Sequence, residues 1–165
     1  MLKTLDLRIP TPEDGMAVHR LVAQCPPLDP NSIYCNLLQC SHFADTSVAA
    51  SYQGDLVGFV SGYLIPSRTD TLFIWQVAVS ESARGQGLAG KMLLHLLTRS
   101  QCAKVSFIET TINPPNRASW ALFERLAKQL SGELVSSTLF DRDRHFDGQH
   151  DSEMLVRIGP FNMAL

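Results

Sequence analysis

The chain has 165 residues, 45% hydrophobic and 18% charged, and its 14 Lys+Arg against 16 Asp+Glu leave a formal net charge of −2. That length is a prior for one domain with a single core, and the near-neutral balance, without runs of like charge, argues against nucleic acid or a polybasic membrane anchor. No apolar run could span a bilayer and no secretory leader is visible over 1–10, so the expectation is a cytoplasmic protein whose partner is a small molecule or another protein.

Leu5, Leu7 and Ile9 alternate with Asp6 and Arg8, the period of a strand, which Pro10 ends. Thr11 then offers an N-cap, with Pro12 in the first helical position and Met16, Val18, Leu21 and Val22 on one side of a helix that Cys25, Pro26 and Pro27 stop. Asp29, Pro30 and Asn31 repeat the start signal, with Asp29 as candidate cap, for a second helix carrying Ile33, Tyr34, Leu37 and Leu38 and closed by Phe43.

From Ser47 to Val79 the composition turns β-branched and aromatic. A Gly54, Asp55 turn and a Pro66–Asp70 loop divide it into three antiparallel strands. Leu88, Met92, Leu93, Leu96 and Leu97 mark the next helix, 105–112 a buried strand, and Trp120, Leu122, Phe123, Leu126, Ala127 and Leu130 another helix. Two last strands, 133–140 and 154–158, flank the charged loop Asp141–His150, blandly a solvated hairpin with weak ion pairs. The predicted class is a mixed α/β fold, one domain over 1–159 with a loose tail over 160–165.

Cys25, Cys35, Cys40 and Cys102 form no CxxC pair and read as small buried thiols. His145 and His150, five apart with no thiolate companion, have poor ligand spacing, so no metal is expected.

Chemistry concentrates first in Arg84-Gly85-Gln86-Gly87-Leu88-Ala89-Gly90, a glycine-rich turn between a strand and an amphipathic helix. Glycines let backbone amides approach an anion closely, and a helix N-terminus supplies unpaired N–H groups with the dipole behind them. The turn lacks the Gly-Lys-Ser/Thr of a nucleotide triphosphate loop and the glycine spacing of a dinucleotide fingerprint. By itself it could also be a tight turn whose glycines serve packing.

The Arg84, Gly87, Ala89 spacing after an apolar strand, together with the element order, resembles the acetyl-CoA pyrophosphate loop and fold of the GCN5-related N-acetyltransferases over nearly the full chain. The resemblance implies a largely antiparallel seven-stranded sheet with splayed strands 4 and 5, flanked by four helices. It implies pyrophosphate on the amides of Gly85, Gln86, Gly87, Leu88, Ala89 and Gly90 with Arg84, and the pantetheine arm along Val77, Ala78 and Val79. Asn116 is similar to the asparagine that touches the cofactor arm, whereas Phe123 stands where the family usually has a tyrosine that protonates the leaving thiolate. A phenyl ring has no proton to give.

Within the family, Leu28–Ser32 with Tyr34, Phe73–Val77, Glu109–Thr111, Asn113–Asn116 and His145–Glu153 look like the members that acetylate the γ-amine of L-2,4-diaminobutyrate on the way to ectoine. An alkylammonium with a pKa of about 10.4 is only about one part in 2,500 neutral at pH 7, so the reaction asks for a base or a depressed amine pKa. Glu109, in an apolar and threonine-rich strand, is the candidate to receive that proton or orient the amine, directly or through a water, the alternatives being a paired structural carboxylate or an edge-strand charge facing solvent.

The resemblance makes Asp29, Tyr34, Trp75 and His150 substrate contacts, His150 and Glu153 matching a C-terminal His-x-x-Glu and His150 ranking above His145. Tyr34 and Trp75 could equally be core aromatics. The substrate carboxylate is unassigned, with Arg68, Arg117, Arg142, Arg144 and backbone amides all open, and a Val77 amide could polarise the thioester. A homodimer is implied by the resemblance alone. An acetyltransferase for another small amine or a protein N-terminus, and a non-catalytic acetyl-CoA-binding module, remain alternatives.

Overall fold

The structure, a computed structural model, describes residues 4–162. Its strands are β1 (Leu5–Arg8), β2 (Val48–Tyr52), β3 (Asp55–Ile65), β4 (Arg68–Val79), β5 (Phe107–Ile112), β6 (Leu134–Phe140) and β7 (Glu153–Ile158), and its helices α1 (Gly15–Ala23), α2 (Ile33–Gln39), α3 (Leu88–Leu97) and α4 (Arg117–Leu130). The seven strands are ordered β1-β2-β3-β4-β5-β7-β6. Only a two-residue turn separates β3 from β4, which requires an antiparallel hairpin. β4 and β5 run parallel, joined through α3, and their register covers Thr71–Ile74 against Phe107–Thr110. Among the described residues, Trp75–Val79 continue β4 with no register partner on β5.

Several predicted boundaries shift for local reasons. Pro12–Asp14 form a 3-10 turn before α1, because the Thr11 N–H donates to Asp14 Oδ2 at 2.8 Å while Arg8 grips the same carboxylate at 2.7 and 2.8 Å. Ser32, not Asp29, caps α2, its Oγ accepting from the Cys35 N–H at 3.0 Å. α2 also stops at Gln39, short of Phe43. The predicted 66–70 loop shrinks to Pro66 and Ser67: Arg68, Thr69 and Asp70 are exposed, so no apolar alternation betrays that part of β4.

Part of the predicted loose tail is tied down. The Gly159 and Phe161 N–H groups donate to the Glu133 and Ser106 carbonyls at 3.0 and 2.9 Å, and Phe161 is buried. Residues 163–165 of that tail, and 1–3, lie outside the described residues.

The chain divides into two compact units. The first holds the described residues up to Tyr63 together with Trp75–Ala103; the second holds Leu64–Ile74 together with the described residues from Lys104 onward. In the first, Val18, Leu21 and Val22 of α1 pack with Cys25, Cys40, Phe59 and Ala78. α3 buries Leu88, Met92, Leu93, Leu96 and Leu97, the predicted face. Gly58 of β3 permits its close approach, since a Cβ there would meet Met92 and Leu88 at 3.0–3.1 Å. In the second, Ile108 and Ile112 of β5, Phe123, Leu126, Ala127 and Leu130 of α4, and Val156 and Ile158 of β7 are buried.

Cys25, Cys40 and Cys102 are buried free thiols, as expected, and Cys35 is half-buried. Burial pushes the Cys40 and Cys102 thiols up to about 12 and about 11, so both are protonated and inert near neutrality. No helix among the described residues is long and apolar enough to cross a membrane.

Candidate active site

In the first unit, β4 leads through Ser80 and a 3-10 turn at Glu81–Ala83 into the glycine-rich turn. Gly85 and Gly87 have φ of +76° and +74°, left-handed values that L side chains rarely adopt, and a Cβ on either would point into open space. These glycines therefore serve backbone conformation rather than crowded packing. Gly90, in the first turn of α3, also faces open space without a positive φ.

Gly87 is the N-cap of α3 and supplies no side-chain bond, in contrast to Ser32 at α2 and Asn116 at α4, whose side chains accept from the helix. The first-turn amides of α3 thus carry the positive end of the helix dipole with no built-in acceptor. Arg84 flanks them, exposed, its Nε donating to the Val79 carbonyl at 3.1 Å. Together these features make an anion cradle.

β4 alternates along this stretch. Leu72, Ile74, Gln76 and Ala78 are buried, while Trp75, 37% exposed, shares the other face with half-buried Val77 and Val79. Trp75 stands edge-on to Phe43 and Tyr63, ring centroids 6.0 and 5.9 Å away. It is thus a buttressed surface aromatic, neither core nor loose. Tyr34 on α2 is 70% exposed, which rules out the core reading. Asp29 is exposed on the irregular segment before α2, and its carbonyl accepts from Gln76 Nε2 at 3.2 Å.

In the second unit Glu109 lies mid-β5, 3% exposed. Arg68 clasps it in a bidentate pair at 2.6 and 3.1 Å, and Arg157 Nη1 bonds the same carboxylate. Burial by itself pushes the Glu109 carboxyl up, but the hydrogen bonds and charges of the two guanidinium groups outweigh it and hold the group below its ordinary value. The paired-carboxylate alternative is what the structure shows for the protein by itself. The two arginines differ in freedom: Arg157 lies 3.7 Å over the Phe107 ring and reaches Thr71 Oγ1, whereas the Arg68 side chain is 46% exposed.

Asn116 caps α4 through Oδ1, accepting from the Ser119 N–H at 3.3 Å, which leaves its Nδ2 group as a donor. Phe123 is 2% exposed, on the packed face of α4 with Leu126, Ala127 and Leu130. The family tyrosine position is therefore a core position here.

The 141–152 loop is more ordered than the bland hairpin expected of it. Asp141 Oδ2 accepts from the Asp143 and Arg144 N–H groups, both at 2.9 Å, and the Asp141 N–H donates to His145 Nδ1 at 2.7 Å. His150 is half-buried, its ring 4.6 Å from that of Phe146, and its Nδ1 donates to the Asp151 carbonyl at 2.7 Å. Arg142 and Arg144, candidates for the substrate carboxylate, lie exposed on this loop, and Arg117 is exposed at the start of α4.

Two partners escaped the sequence reading. Arg157 is Glu109's cross-strand neighbour on β7, a relation that the β5–β7 register alone reveals. Gln39 and Gln76 are buried amides, Gln39 beside the equally buried Asn36 on α2; Gln76 between Trp75 and Val77 was the available signal.

A sequence model of the Acetyltransferase (GNAT) family matches residues 16–127. The L-2,4-diaminobutyric acid acetyltransferase of Methylotuvimicrobium alcaliphilum is 60% identical over 160 residues, 97% of this chain and 93% of its own length. That of Vibrio cholerae is 53% identical over 151 residues, 92% of this chain and 87% of its own. The diaminobutyrate acetyltransferase EctA of Paenibacillus lautus, solved with its substrate L-2,4-diaminobutyric acid and coenzyme A, superposes with a TM-score of 0.91 at 40% identity, covering 98% of both chains.

Proposed function

The chain belongs to the GNAT family of acetyltransferases, and on that premise we propose that it transfers the acetyl group of acetyl-CoA to the 4-amino group of L-2,4-diaminobutyrate, the step that leads toward ectoine. The observation that carries this reading is the anion cradle before α3, left-handed glycines followed by uncapped amides, which suits the pyrophosphate of coenzyme A. The diamine comes from the relatives, which bear that activity's name over nearly their whole length.

In this reading Gly85, Gln86, Gly87, Leu88, Ala89 and Gly90 hold the pyrophosphate with Arg84, while Val77, Ala78 and Val79 pair with the pantetheine arm and Asn116 donates to it. Asp29, Tyr34, Trp75 and His150 receive the diamine. The whole of 1–159 serves as one catalytic domain, working in the cytoplasm as a homodimer. β6, at the edge of the sheet with Val135, Leu139 and Phe140 exposed, is a strand that a second copy would cover.

The amine attacks the thioester directly, without an acyl-enzyme. Its positive charge is the equivalent of the Arg68 guanidinium, the freer of Glu109's two partners, so an arriving ammonium can take Arg68's place on the carboxylate. Because that ammonium brings the same charge as the guanidinium it displaces, Glu109 stays ionised beside it, orients the amine and relays its proton, directly or through a water, before attack. With Phe123 buried, the departing thiolate, of pKa near about 8.5, leaves as such or takes a proton from water.

Thiol release from acetyl-CoA, measured with L-2,4-diaminobutyrate, L-2,3-diaminopropionate, L-ornithine, L-lysine and a short peptide, tests the assignment, with NMR locating the acetyl group. Selective acetylation of the 4-amino group of diaminobutyrate is expected. Turnover on another acceptor alone would keep the cofactor reading and remove the substrate. Cofactor binding without turnover would favour a non-catalytic module.

A further inference from the structure

Acetyl transfer as just described leaves a row of buried amides in the first unit without a use. Asn36 and Gln39 on α2 are 0% exposed and Gln76 on β4 is 6% exposed. His19 Nδ1 lies 2.9 Å from Asn36 Oδ1, and Asn36 Nδ2 donates to Gln39 Oε1 at 3.0 Å. Gln39 Nε2 donates to Gln76 Oε1 at 3.2 Å, and Gln76 Nε2 to the Asp29 backbone carbonyl at 3.2 Å.

The far end dictates the polarity of the row. A carbonyl can only accept, so Gln76 presents its amino group to Asp29 and its oxygen to Gln39. The same requirement passes through Gln39 and Asn36 and makes His19 Nδ1 the donor at the near end. Turning any one amide over would break the bonds on both of its sides. The Gln76 backbone is fastened as well, its N–H donating to Ser61 Oγ at 3.1 Å.

Packing does not ask for this arrangement. Leucine or methionine would occupy the same volume with no polar atoms to satisfy, and a hydrogen-bonded pair can be exchanged for an apolar pair at little cost. What amides supply is direction, and this row is directed at residues 28–31, which lack regular secondary structure and expose Asp29.

We propose that Gln39 and Gln76 are positioning residues for the acceptor amine: the amide row fastens the Asp29 backbone to β4 next to Trp75 and so sets the affinity for the diamine. This rests on the reading of Asp29 and Trp75 as acceptor contacts. The acetyl-CoA cradle, built from 84–90, takes no part in the row.

The test compares wild type with Gln39→Glu, Gln39→Leu and the Gln39→Leu/Gln76→Leu pair. KM is measured for diaminobutyrate and acetyl-CoA in turn, alongside thermal unfolding and hydrogen–deuterium exchange over 28–34. Gln39→Glu keeps the shape and, ionised, has no donor for Gln76 Oε1; because burial favours its protonated form, which does donate, this variant is read at alkaline pH. The paired variant keeps apolar contact between the two positions, so it remains informative if a single variant folds poorly. Diamine KM should rise about fivefold, the net worth of one hydrogen bond, with acetyl-CoA KM unchanged and exchange over 28–34 faster. An unchanged diamine KM in the paired variant overturns the proposal, and so does an equal rise in both KM values, the mark of general loosening. A wild type that does not acetylate diaminobutyrate removes the proposed function instead. In that case unchanged exchange over 28–34 overturns the positioning role and faster exchange supports it.

Discussion

The turn before α3 and the middle of β5 both handle charge, by opposite means. At α3 the first-turn amides have no side-chain cap and Arg84 beside them is exposed, tied by its Nε to the Val79 carbonyl, so an acceptor for those amides has to come from solvent or a ligand. At β5 the buried charge of Glu109 is already completed by Arg68 and Arg157, and a ligand has to displace something to reach it. The first region is cheap to build, since exposed donors are hydrated until the ligand arrives. The second must satisfy itself, because a lone buried carboxylate would be strongly destabilising.

The comparison can be broken most severely at Glu109. Glu109→Gln leaves two guanidinium groups without their counter-charge, and because Arg68 is 46% exposed and partly screened, the expected loss is about 2–3 kcal/mol, read as a lower Tm. The pH dependence has a definite sign. The folded-state pKa lies below the ordinary 4.5, so the carboxylate's contribution is complete above that value and is lost as pH falls through the lowered one. The gap in stability between wild type and Glu109→Gln should therefore be constant near neutrality and narrow below about pH 4.5, which urea titrations across pH would show.

A smaller effect is expected at Gly87. With φ at +74°, Gly87→Ala should cost about 1–2 kcal/mol of stability and weaken acetyl-CoA binding in calorimetric titration. Asn116→Ala removes a helix cap and should cost about 1 kcal/mol in denaturant unfolding. The smallest change sharpens the contrast most. Gly90 is helical and faces open space, so Gly90→Ala should stabilise the fold by about 0.5–1 kcal/mol while weakening acetyl-CoA binding. No such opposition of sign is expected at Glu109, where stability and turnover should fall together.

These two regions were also unequally legible. The α3 turn could be read from seven adjacent residues because its function is carried by backbone conformation and a helix end, both local properties. Phe123 was visible both as a departure from the family pattern and among the apolar residues of the predicted helix, and the structure buries it there. Asp29 carried a cap signal that Ser32 answered instead, three residues on, its side chain accepting from the Cys35 N–H.

The sequence by itself determined the element order, the packed face of α3 and the glycine-rich turn that opens it, since periodicity and glycine spacing act within a few residues. Only the tertiary structure decided what Glu109 is bound to, because Arg68 and Arg157 are 41 and 48 residues away along the chain. It likewise decided that Gln39 and Gln76, 37 residues apart, belong to one row ending at Asp29. Side-chain partners at such separations are set by strand register and helix packing, which depend on the whole fold rather than on any local run of residues.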